Sequence, residues 1–195
     1  MFQMNTNAPI YFDYSATTPL DTRVYQAMVP YFEQEFGNPS SIHRYGQNAE
    51  AAIENSRETC SQILKCKPSE IIFTSCGSES DNLAIRGAAL AARKNRNADH
   101  ILISPVEHHA VSRTAEQLQQ IFGFKLEFLP VDKYGMVDTQ SVAERLRPTT
   151  ALVSIIYANN EIGTINPIRD IGILCQHAGV TFHTDAVQAG ALLEL

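Results

Sequence analysis

Short apolar runs alternate with amphipathic stretches over most of the chain. Residues 71–74, 101–103, 125–129, 151–157 and 180–183 are brief and rich in aliphatic and β-branched side chains, and they predict buried strands. Between them, apolar residues recur at helical spacing over about 79–93, 109–122, 139–147 and 168–177. Strands separated by single helices require crossover connections. The expected fold class is therefore α/β, a mainly parallel sheet with helices on both faces. Two further helices precede this run. One starts behind Asp21, a good N-cap, and reaches about residue 36, with Pro30 expected to kink or shorten it. The other fits residues 47–64, with Ala49, Ala52, Ile53, Cys60 and Ile63 as its inner stripe. Residues 1–20 are irregular and read as an arm, and residues 36–41 form a loop by composition. The sequence stops about where the next element of the run should begin. The domain over 21–195 is thus expected to be incomplete.

Composition narrows the function classes. The 195 residues are 44% hydrophobic and 18% charged, a balance that supports a packed core. Lys and Arg number 15 against 21 Asp and Glu, a net charge of −6 with no basic block, so no nucleic-acid partner is expected. No apolar run approaches a membrane span, and residues 1–10 lack the pattern of a secretory signal, so the expected location is cytoplasmic with no membrane partner. Cys60, Cys66, Cys76 and Cys175 show no C-x-x-C spacing, which turns attention from metal clusters towards organic-cofactor or side-chain chemistry.

Five clusters fall at predicted strand ends, where several loops meet one ligand in a parallel sheet. Thr74 to Asn82 joins a strand to a helix. Gly77 lets the backbone approach a ligand, Ser78 adds a hydroxyl, and a helix N-terminus suits a phosphate, although a plain helix cap also explains the serines. Glu107-His108-His109 offers an imidazole that could stack on a planar ring or donate a proton, or simply lie at a helix start. Asn159 and Asn160 are adjacent amides suited to orienting a polar atom. Asp185 ends a buried strand, where a carboxylate needs a cationic partner. A protonated pyridine nitrogen would serve, and a metal bound by His183 and Asp185 with His108 or His109 is the competing reading. Residues 36–43 form a polar loop, a lid or a subunit contact.

Together these segments resemble a known family. Tyr11-Phe12-Asp13-Tyr14-Ser15-Ala16-Thr17-Thr18-Pro19, Phe36-Gly37-Asn38-Pro39-Ser40-Ser41, the Thr74 to Asn82 cluster, Glu107-His108, Asn159-Asn160-Glu161-Ile162-Gly163 and His183-Thr184-Asp185-Ala186-Val187-Gln188 occur in that order. In this the chain is similar to the N-terminal half of cysteine desulfurases, class V members of the fold-type I pyridoxal-phosphate enzymes, of the iron–sulfur-assembly and nitrogenase-maturation type. The resemblance implies an aminotransferase-like large domain preceded by an arm, residues 1–20, belonging to the family's small domain. It implies pyridoxal 5'-phosphate as cofactor, L-cysteine as substrate, a homodimer, and an iron–sulfur scaffold or sulfur carrier as partner. It places Gly77 and Ser78 at the phosphate, His108 over the pyridine ring and in proton transfer, and Asp185 at the pyridinium nitrogen. Gln188 and Asn160 fall near the phenolic oxygen, with Asn160 also near the substrate. The family's Schiff-base lysine and persulfide cysteine match no residue here, so the chain alone is expected to be inactive. Cys76 stands where the family commonly has glycine. A different class V enzyme acting on a small amino acid, and a non-catalytic assembly module, are the alternatives.

Overall fold

The structure, a computed structural model, describes residues 9–190, 192 and 193, which divide between two compact units, Met1–Phe73 and Thr74–Leu195. In the first, α1 (Thr22–Glu33) starts where the Asp21 carboxylate accepts the Arg23 amide at 2.8 Å. It runs three residues past Pro30, then stops short of the expected residue 36. The second helix, α2 (Arg44–Leu64), begins three residues earlier than expected, because His43 Nδ1 accepts the Gly46 amide at 3.3 Å and caps it. Any Cβ on Gly46 would fall 2.1 Å from the Ser41 carbonyl oxygen, so glycine lets the preceding loop close onto the helix. The expected inner stripe of α2 is not buried. Ile53 and Ile63 are 37% and 66% exposed, and among the described residues of α2 only Gly46 and Ser61 are buried.

Residues 71–74 do not form the predicted strand. They follow a short 3₁₀ turn, Pro68–Glu70, with extended backbone at Ile71 and no partner strand among the described residues, and Ile72 lies open to solvent. An apolar run becomes a strand only where a neighbour completes its hydrogen bonds.

The second unit is the α/β layer. Helix α3 (Gly77–Arg96) leads into β1 (His100–Ile103), α4 (His109–Phe122), β2 (Lys125–Phe128), α5 (Thr139–Arg145), β3 (Thr150–Ser154), α6 (Ile168–His177) and β4 (Thr181–His183). All three strand pairings are parallel, in the order β2-β1-β3-β4. Alternate strand residues divide between two cores. Ile101 and Ile103 pack with Ile85 and Ala89 of α3 and with Val111 and Leu118 of α4. Leu102 and Val153 pack with Val142 of α5 and with Ile171 and Cys175 of α6. The sheet is thus covered on both faces, as its near-continuous apolar strands require. No described helix is long and apolar enough to cross a membrane.

Strand order reverses between β1 and β3. From β1 the chain moves outward to β2, and it then returns to β3 and moves the other way to β4. A parallel sheet opens a crevice at the carboxyl ends of the strands flanking such a switch.

Candidate active site

At that switch, residues 105–109 after β1 face residues 159–162 after β3 across a cavity of about 320 Å³, which brings His108 and Asn160 to one opening. Asn159 holds the two loops together. Its Nδ2 donates to the Val106 carbonyl at 2.8 Å, and its Oδ1 accepts the Glu161 and Ile162 amides. Asn160 next to it is half-buried at the cavity wall. Behind the loop, buried Asn166 spans the Ile156 carbonyl and the Val137 amide.

His108 is the N-cap of α4. Its Nδ1 accepts the Ala110 amide at 3.1 Å, so the neutral ring carries its proton on Nε2 and is pinned in orientation. Asp185 follows β4 and is 7% exposed. Its carbonyl accepts the Tyr157 amide at 2.9 Å and its Oδ1 accepts the Val187 amide at 3.0 Å. It pairs with no Lys or Arg among the described residues. One donor atom each from Asp81 of α3, His108 and Asp185 lies within 4.8 Å of the other two. A metal ion could span that distance. Yet Asp81 already faces His183 Nε2 at 3.5 Å, Asp185 holds the Val187 amide, and the convergence stops at three groups among the described residues.

Gly77 opens α3, half-buried, with exposed Ser78 behind it. A Cβ on Gly77 would stand 2.8 Å from Val187 Cγ2, so the loop before α3 and the turn after β4 meet closely, and any larger residue there would require the Val187 side chain to shift. The Thr74 hydroxyl bonds Ser80 Oγ, and the Glu79 carboxylate accepts both the Ser75 amide and the Ser75 hydroxyl. Those contacts hold the Glu79 carboxyl below its ordinary range. Cys76, the N-cap, is exposed. The Glu79 amide and the Ser75 hydroxyl lower its thiol pKa, in keeping with its place at a helix N-terminus. Gln188 is half-buried, one residue past Val187 in the same turn.

The structure therefore joins His108 with Asp185 and with Asn160, and sets Gly77 against the turn that carries Gln188. It also adds two residues to which the sequence reading gave no role, Asp81 and Glu107. Burial pushes the Glu107 carboxyl up to about 8, with the Asp185 and Asp81 charges adding to the shift against the Ile156 amide. Both residues lie inside clusters that the sequence singles out. Their participation is a matter of burial, which no local pattern records. As a fit for a phosphorylated pyridine, the arrangement offers three features. They are a helix N-terminus whose amides no oxygen caps, a loop free of Cβ at Gly77, and a buried carboxylate lacking a cationic side chain among the described residues.

The model of the family described as aminotransferase class-V matches residues 10–192. The chain is 48% identical over 179 residues to the cysteine desulfurase IscS of Dictyoglomus turgidum, covering 92% of this chain and 45% of that protein. It is also 48% identical over 183 residues to the cysteine desulfurase IscS of Methanosarcina thermophila, covering 94% of this chain and 45% of that protein. Among solved structures, a NifS-like protein superposes with a TM-score of 0.86 at 38% identity, over 92% of this chain and 49% of that one. SspA in complex with cysteine superposes at 0.83 and 40% identity, over 89% and 49%. The chain spans about half the length of the curated relatives it matches.

Proposed function

This chain belongs to the aminotransferase class-V family, and from that premise we propose that it forms the N-terminal part of a cysteine desulfurase, with residues 21–195 contributing to the cofactor-binding large domain. The complete protein converts L-cysteine to L-alanine. The substrate C–S bond breaks, the sulfur is left on an enzyme cysteine, and a scaffold or carrier protein receives it. The proposal extends to a cytoplasmic homodimer. The observation that carries it is buried Asp185 at the end of the sheet beside His108, with the Gly77 loop closed against the next turn.

Pyridoxal 5'-phosphate, when bound, supplies the electron sink for the reaction. Gly77, Ser78 and the first amides of α3 hold a phosphate by hydrogen bonds and the positive end of the helix dipole. The Asp185 carboxylate keeps a proton on a ring nitrogen, so that charge developing nearby is stabilised by a fixed ion pair. His108, pinned through Nδ1, presents its ring face for stacking and its Nε2–H for proton transfer. The amides of Asn160 and Gln188 orient the phenolic oxygen, and Asn160 reaches the substrate.

The test is an assay of the complete protein, purified from its own host, with L-cysteine, a reducing thiol and added pyridoxal 5'-phosphate. Alanine and sulfide should form in equal amounts, and Asp185→Ala should lower turnover by about 100-fold or more while leaving the fold intact. Near-normal turnover in that variant, or keto-acid exchange in place of sulfide release, overturns the reading.

A further inference from the structure

Glu107 precedes His108 in the loop after β1 and is 9% exposed. The amides that follow β3 alternate in direction. The Ile155 amide donates to the His183 carbonyl at 3.1 Å and the Tyr157 amide to the Asp185 carbonyl, both on the β4 side. Between them, the Ile156 amide points the other way and donates to Glu107 Oε1 at 2.7 Å. The β1 side can offer it no main-chain carbonyl. After the Ser104 amide bonds the Ser154 carbonyl, Pro105 turns the chain away. The side chain of Glu107 thus replaces a rung of the ladder at the point where the crevice opens.

The second oxygen, Oε2, is buried and has no hydrogen-bond partner among the described residues. Ionised, the group would hold a charge out of solvent beside two more acids, with only the Ile156 amide and the Ser104 hydroxyl to favour it. The groups acting on the carboxyl are Asp81 from α3 and Asp185 after β4, which oppose its charge, and the Ile156 amide and the Ser104 hydroxyl, which favour it; His183, paired with Asp81, and His108 are the imidazoles nearby. A carboxylic acid resolves this, since its carbonyl oxygen accepts the Ile156 amide and its hydroxyl adds no charge.

We propose that Glu107 is a positioning residue that works as a neutral acid. It holds the end of β3 to the loop carrying His108 and leaves the negative charge of the pocket to Asp185 and Asp81. Its consequence for cofactor binding rests on the function proposed above, whereas its protonation does not.

The experiment is infrared spectroscopy of the complete, cofactor-free protein across a pH series, paired with equilibrium binding of pyridoxal 5'-phosphate. The wild type should show a protonated-carboxyl stretching band at neutral pH that disappears as the pH rises through about 8, and Glu107→Gln should lack it. Because glutamine keeps the acceptor and the neutral charge, E107Q should bind the cofactor almost as the wild type does. E107A should bind it about ten-fold or more weakly, because the buried Ile156 amide loses its acceptor. A neutral-pH wild type without that band, or a band that survives in E107Q, overturns the proposal. Should a variant fail to fold, the titration of the wild-type band still decides. A wild type that shows the band but binds no pyridoxal 5'-phosphate would refute the proposed function and leave the neutral acid standing.

Discussion

One methyl group at residue 77 tests how closely two loops must meet. Gly77→Ala sets a Cβ 2.8 Å from Val187 Cγ2, the end of a movable side chain, so the cost to stability should stay within about 1 kcal/mol. Cofactor affinity should fall more clearly, and Val187→Ala should restore it in the double variant, a coupling that a titration of all four proteins would read. Glu107 makes a prediction of opposite character. Its carboxyl rises from the ordinary 4.5 to about 8 on folding, so between those values the folded chain binds more protons than the unfolded one. Stability contributed by this group is complete at low pH and is lost as the pH rises through that window, by up to about 1.4 kcal/mol per pH unit. Denaturant unfolding at several pH values should therefore show E107Q gaining on the wild type as the pH rises, and a constant difference would contradict it. At this scale the sequence exposes chemistry but not environment. Asp185 and His108 stand out in the sequence by their places at predicted strand ends, and the structure brings a donor atom of each within 4.8 Å of the other, although His108 also caps α4. Asp81 and Glu107 come near them only through packing between segments distant in sequence.

Helices and strands differed in how well they could be foreseen. The expected bounds of α4 and α6 coincide with the observed ones, because apolar periodicity and end signals agree: His108 caps the start of α4, and Gly123 closes it in a left-handed conformation. Residues 71–74 carry the same aliphatic signal as β1 but find no neighbouring strand, and pairing is a property of two segments rather than one. The stripe on α2 has helical spacing, yet the side chains that would cover it are not local, so its burial could not be inferred from periodicity. For β3 the packing is settled. Leu152 is fully buried in the core shared with α3 and α4, and Leu152→Ala should cost about 2–5 kcal/mol, measured as a lower midpoint in thermal unfolding.

Over the whole molecule, polar and apolar surface are unevenly placed. The second unit buries two cores, whereas in the first Phe12, Phe32 and Ile42 are exposed, Ile42 at 93%. Apolar surface of this extent marks contact regions, so the 195-residue chain on its own should bind a hydrophobic dye and self-associate, which fluorescence and light scattering would register. Monodisperse behaviour without dye binding would count against it. The parallel sheet also bears on biogenesis. Gly77 and Val187 lie at opposite ends of the α/β run, and each intervening strand reaches its neighbour only through a crossover. A ribosome adding about 5–20 residues each second delivers α3 and the loop before it early and β4 later. Until β4 docks, Asp185 and the Gly77 loop are not neighbours. A ligand that recognises only the finished pocket then stabilises only finished molecules. Its capture would separate chains in which β4 has docked from those still open to quality control.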